Sequence, residues 1–113
     1  NKHIHRSILG INDLCRAAQS IVECKTPTSG VYNINSFNST VNSMSNVVAD
    51  VCGAKINDLG RIGVPYDFMI SNNKFESNFN FKFKDTVETI IRNILDNYDI
   101  LNMTNRDEGV LYE

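Results

Sequence analysis

The chain has 113 residues, 42% of them apolar, with 11 Lys and Arg against 13 Asp and Glu for a net charge of −2. That length supports one domain with a small core, and the apolar content argues against disorder. The balanced charge offers no basic face for nucleic acid or an anionic membrane, and no apolar run approaches the roughly 20 residues needed to cross a bilayer.

Residues 4–9 read as a strand in which His3, His5 and Arg6 interleave with apolar positions. Ile11, Leu14, Cys15, Ala18, Ile21 and Val22 then recur at helical spacing, so they predict an amphipathic helix ending near Cys24. Asn12 is its expected N-cap, and Asp13 suits the positive end of the helix dipole. The stretch 25–30, with Pro27 and Gly30, is a loop. Val31–Ile34 predicts a second strand, with Tyr32 and Ile34 on one face and Val31 and Asn33 on the other. Residues 36–40 read as a polar turn.

Val41, Met44, Val48, Val51 and Cys52 form the stripe of a second helix, and Gly53 is its natural stop. Gly60, Gly63 and Pro65 mark a loop, and Tyr66–Ile70 predicts a third strand. Ser71–Lys74 is read as a turn into a short helical segment. Phe79, Phe81 and Phe83 alternate, as an edge strand or an extended packing segment does. The last helix carries Val87, Ile90, Ile91, Ile94, Leu95 and Tyr98 on one face, with Asp85 and Glu88 at capping-box spacing. Residues 99–113 show no period and read as a tail. The sum is strand, helix, strand, helix, strand, helix: a small mixed α/β lobe.

Cys15, Cys24 and Cys52 have no close-spaced pair, which favours reduced thiols of an intracellular chain, packed as core filler. The chain starts at Asn1, as a processed chain or an excised piece does. His3 and His5 would share a face of a strand as metal ligands do, but no third ligand converges in sequence. Neither a glycine-rich phosphate loop nor a nucleophile elbow occurs. Among the cations, Arg6 stands at a strand end beside a helix N-terminus, where its planar fork and free backbone N–H groups together suit a diphosphate; Arg61 is a second candidate.

Arg6-Ser7-Ile8-Leu9-Gly10-Ile11-Asn12-Asp13-Leu14 and Gly30-Val31-Tyr32-Asn33-Ile34-Asn35-Ser36, in this order and separation, resemble segments of the extended short-chain dehydrogenases/reductases, the NAD-dependent epimerase/dehydratase family. Ser71-Asn72-Asn73-Lys74, Asn80-Phe81-Lys82-Phe83 and the run from Val87 to Tyr98 are similar in position to later family segments. Departures stand at Asn35, Phe37 and Ile90, where the family has glycines, at Phe83 for a proline, and at Gly10 for a His or Tyr. The resemblance implies that residues 1–98 are the substrate-binding, C-terminal part of a Rossmann-type enzyme, followed by the tail 99–113. It implies a nucleotide-sugar substrate, NAD or NADP in the parent protein and none bound by this segment, an N-terminal Rossmann domain of the same parent as partner, and a cytoplasmic setting. It gives Arg6 and Arg61 the diphosphate and sets Asn33 and Ser36 at the pocket mouth. The family's Tyr-x-x-x-Lys and dinucleotide fingerprint are absent here, so the segment by itself lacks the groups that hydride transfer needs. The alternative is a standalone, non-catalytic protein-interaction module; a third reading is a metal-dependent hydrolase using His3 and His5.

Overall fold

A computed structural model describes residues 3–60 and 66–98. The elements are β1 (His5–Ile8), α1 (Ile11–Glu23), β2 (Phe37–Thr40), α2 (Val41–Cys52), α3 (Asn73–Phe79) and α4 (Val87–Asp96). The chain is thus the small α/β lobe expected, with two strands and four helices among the described residues.

β1 and β2 are antiparallel, with His5 opposite Thr40 and Ile8 opposite Phe37. The Ser36 N–H donates to Ile8 O (2.7 Å) and the Val41 N–H to Ile4 O (3.0 Å), so backbone bonds close both ends of the pair. The second strand is therefore not Val31–Ile34, as expected, but the segment read as a polar turn. Ladder bonds decide strand identity, and residue propensity bends to them. Residues 31–34 have no ladder partner among the described residues. The expected strand Tyr66–Ile70 is also not part of the sheet. Side chains hold it instead. The Asn38 amide, acting as a peptide group would, donates from Nδ2 to Ile70 O (2.9 Å) and accepts the Ile70 N–H at Oδ1 (3.2 Å).

Helix caps refine the sequence reading. α1 starts after Gly10, not Asn12, and has no side-chain cap from its own N-cap residue. Its Asp13 N–H donates to Asp85 Oδ2 (2.9 Å), so a carboxylate from across the fold does the capping. A Cβ on residue 10 would lie 2.1 Å from that oxygen, so this turn admits only glycine as long as Asp85 stays. α2 is capped by Thr40 and ends at Gly53, whose φ of 66° is left-handed. α4 has its capping box one residue later than expected, between Thr86 and Thr89.

The core is small and aromatic. Phe75 on α3 is 1% exposed and meets the rings of Tyr32, Phe79, Phe81 and Phe83 at centroid distances of 4.6–6.0 Å. Ala17 of α1 closes this cluster, and Ile34 packs on it. The alternating phenylalanines are the extended packing segment foreseen as one option, turned out of α3 by Asn80 at φ 47°. α2 packs on α4 as a second layer.

α1 departs most from expectation. Its inward side carries Asp13 and Ala17, while the apolar stripe Ile11, Leu14, Cys15, Ala18, Ile21 and Val22 is exposed, Val22 to 85%. Cys15 and Cys52 are exposed rather than core filler, and Cys24 is half-buried. Arg61, Gly63, Pro65 and the expected tail 99–113 lie outside the described residues. Among the described residues no helix is long and apolar enough to cross a membrane.

Candidate functional site

Arg6 sits in the middle of β1, and the ladder turns it toward the segment that begins at Tyr66. Its Nη1 donates to the carbonyl oxygens of His5 (2.8 Å) and Tyr66. Its guanidinium carbon lies 5.9 Å from the Phe68 ring centroid, within cation–π range. Arg has five donors, and among the described residues Nε and Nη2 have no hydrogen-bond partner. One nitrogen thus anchors the side chain while the rest of the fork stays available.

The neighbouring residue fixes the same segment. The His5 backbone N–H donates to Asp67 Oδ1 (2.8 Å), and His5 Nδ1 lies 3.0 Å from that oxygen. The two His5 hydrogen bonds, aided by the charges of His5 and Arg6, hold the Asp67 carboxyl below its ordinary pKa. The result is a cluster of a half-buried, fork-shaped cation with the exposed Tyr66, Phe68 and the Asp67 carboxylate. Chemically it can take a planar or anionic group, such as a phosphate, against Arg6 and a ring against the aromatics.

The other expected site residues are placed differently. Ser36 is structural in its bonding: its Oγ accepts the Gly10 N–H (2.9 Å) and donates to Asp13 Oδ2 (2.6 Å). Asn33 is exposed on the side of its segment opposite Tyr32 and Ile34. No hydrogen bond joins Arg6, Asn33 and Ser36 among the described residues, and Arg61 lies outside them.

Sequence reasoning missed the most densely bonded group, Asp13. It is 1% exposed. Its carboxylate accepts from Ser36 Oγ, from the N–H groups of Lys84 (3.0 Å) and Asp85 (2.8 Å), and from Arg16 Nη1 (2.9 Å). Burial works to raise its pKa, but the hydrogen bonds of Ser36, Asp85 and Lys84 and the charge of Arg16 outweigh this and lower it. Since Asp85 in turn accepts from the Asp13 N–H, the two residues clasp the start of α1 to the approach to α4. Only helix-dipole placement was read locally; Arg16 is three residues on, but Ser36 lies 23 residues away and the Lys84 and Asp85 N–H donors 71 and 72. Asp67 was missed too; a carboxylate inside an otherwise apolar predicted strand was the available signal.

One groove of about 540 Å³ lies between α1 and the end of α3, lined by Arg16, Glu23, Asn78 and Phe81 among others. Another, of about 370 Å³, is an apolar trough on α2 lined by Val41, Met44, Val48 and Ile56. Arg6, Asn33 and Ser36 line neither. Among the described residues no group of three or more His, Cys, Asp or Glu side chains is arranged to hold a metal.

The chain matches no protein-family model and no curated protein. Among solved structures it is similar to the enzyme WbmG of Bordetella bronchiseptica in complex with NAD and UDP, with a TM-score of 0.67 and 21% identity over 88% of this chain and 34% of that one. The same enzyme in complex with NAD gives a TM-score of 0.62 and 20% identity over 85% of this chain and 32% of that one. The likeness establishes a shared fold, and the chain spans about a third of the length of WbmG.

Proposed function

We propose that the chain is the nucleotide-sugar-binding portion of an NAD(P)-dependent epimerase, dehydratase or reductase of the extended short-chain family. The observation that carries this is the agreement of two independent comparisons. The order of the Arg6–Leu14 and Gly30–Ser36 segments resembles that family, and the fold matches about a third of an enzyme crystallised with NAD and UDP.

In this reading Arg6 clamps the diphosphate. The Tyr66 and His5 carbonyls hold Nη1, and Nε and Nη2 supply a bidentate pair to phosphate oxygens. Phe68 offers a ring beside it. By resemblance Arg61 is a second contact for the diphosphate and Asn33 and Ser36 belong to the pocket mouth, where Ser36 fixes the turn at Gly10. NAD or NADP, held by the N-terminal Rossmann domain of the parent, supplies the hydride chemistry. This segment contributes binding and orientation, and it is inert alone, since it has neither dinucleotide fingerprint nor Tyr-x-x-x-Lys. A cytoplasmic setting fits such soluble substrates.

The test is calorimetric titration of UDP- and dTDP-sugars into the full-length parent and its Arg6→Ala form. Losing a charge-assisted bidentate contact should weaken binding by about 10- to 100-fold. Unaltered affinity removes the assigned role of Arg6, and no binding by the unsubstituted parent removes the function.

A further inference from the structure

The segment Tyr66–Ile70 is held against the sheet without joining it, and among the described residues no backbone–backbone hydrogen bond ties it down. Its ties are side chains, and they fall at its two ends. At the far end Asn38 engages both backbone groups of Ile70. At the near end two neighbours in β1 each make one tie. Arg6 Nη1 donates to the Tyr66 carbonyl, and its guanidinium meets the Phe68 ring. Asp67 stands between those two residues; its Oδ1 accepts the His5 N–H (2.8 Å) and lies 3.0 Å from His5 Nδ1. A carboxylate oxygen only accepts, so Nδ1 carries the hydrogen of this second bond. Successive side chains of a strand leave it on opposite faces, so His5 and Arg6 depart from β1 on different sides. Asp67 therefore grips the segment from the face away from the Arg6 fork.

We infer that His5 and Asp67 are a positioning pair for Arg6: their clasp pins Tyr66 and Phe68 where carbonyl and ring hold the guanidinium, and Nε and Nη2 are left for an anion. This rests on the function proposed above, which makes that anion a nucleoside diphosphate. The physical gain is preorganisation. A free Arg side chain gives up many rotamers when its fork is captured, and a fork already held gives up fewer. The His5 carbonyl is one hold, but it comes from the adjacent residue. The Tyr66 carbonyl and the Phe68 ring are the holds from elsewhere in the chain, and both residues are exposed. Among the described residues, the clasp on Asp67 is the only other tie that their segment has before Ile70. Charge works the opposite way, because a carboxylate near Arg6 repels an anion. The Asp67 side chain is 57% exposed, so water and salt screen that repulsion to about twofold in affinity or less. The hold outweighs the charge.

The test is a double-mutant cycle in the full-length parent with two readouts: calorimetric titration of UDP, and the NMR order parameter of the Arg6 Nε–H in protein labelled at arginine. Asp67→Ala should weaken UDP binding about 5- to 10-fold and bring the order parameter below about 0.6. Asp67→Asn keeps an oxygen for the His5 N–H, so it should hold the order parameter and stay within about twofold of the parent in affinity. In the Arg6→Ala background, Asp67→Ala should weaken UDP no further. An Asp67→Ala protein with unchanged affinity and an ordered Arg6 overturns the inference. A loss of affinity that persists in the Arg6→Ala background overturns it too, because Asp67 then acts on the ligand directly or on the fold at large. An Asn form as weak as the Ala form, or one that binds UDP several-fold tighter than the parent, shows that charge governs and also overturns it. If the parent binds no UDP, or binds it equally well as Arg6→Ala, the nucleotide reading fails and the order parameter decides alone. Its fall in Asp67→Ala with retention in Asp67→Asn then keeps the positioning pair, and its constancy removes it.

Discussion

Replacing Asp13 with Asn tests whether a buried carboxylate, rather than the aromatic cluster alone, holds this lobe together. In Asp13→Asn one acceptor oxygen becomes an NH₂ group and faces the donors Ser36 Oγ, Lys84 N–H and Asp85 N–H at 2.6–3.0 Å. Hydrogen bonds to a charged acceptor contribute about 1.5–3 kcal/mol each, and an orphaned donor costs about 1–3 kcal/mol. These contributions share one network and do not add, so about 4 kcal/mol is the working figure. A domain of this size has roughly 6–17 kcal/mol to lose. With a urea dependence of about 1.5 kcal/mol per molar, the midpoint should fall by more than about 2 M. Circular dichroism during urea titration at pH 7 measures it. The pH dependence supplies the sign. The folded Asp13 pKa is lowered, so its contribution is fully present above the unfolded value, about 3.9, and is lost as pH falls through the folded value. The gap between native and Asn forms should be flat above about pH 5 and shrink below pH 4. A midpoint shift under about 0.3 M at pH 7, or a gap that stays constant to pH 2, refutes the reasoning.

Gly10→Ala should destabilise by about 2 kcal/mol, because the new Cβ would lie 2.6 Å from the Asp85 Cβ; Asp85→Ala in the same chain should recover part of that loss, and simple additivity of the two in urea denaturation contradicts the contact. Phe75→Ala, which removes the ring at the centre of the cluster, should cost about 3–5 kcal/mol by the same assay, and a cost below about 1 kcal/mol means that the core lies elsewhere. Thr86→Ala removes the side-chain acceptor for the Thr89 N–H at the start of α4 and should cost about 1 kcal/mol, whereas Glu88→Ala, outside the capping box, should cost less than half of that.

The helices were legible where local chemistry decides them. The 3.6-residue period located α1, α2 and α4, and Gly53 stops α2 because only a residue at ease at positive φ suits that place. Caps were legible to within a residue or two, and the discrepancies have distant causes: Asp85 caps α1 from another part of the fold, which makes Asn12 unnecessary. Strand identity was not legible. Val31–Ile34 has the better strand composition, yet Phe37–Thr40 has the partner. The burial of α1 was misread for a related reason. An apolar stripe reports that something covers it, and sequence pattern cannot say whether the cover lies within the chain. Of the candidate site, Arg6 was named from a place at a strand end beside a helix N-terminus, whereas it stands within β1 against the Tyr66 segment, and its neighbours Tyr66, Asp67 and Phe68 were read only as strand residues.

A crystal structure of the full-length parent grown with NAD and UDP tests the central claim most directly. The account predicts UDP on this lobe with its diphosphate within about 3 Å of the Arg6 guanidinium. UDP held entirely by residues outside 5–98, with Arg6 turned away from it, contradicts the account.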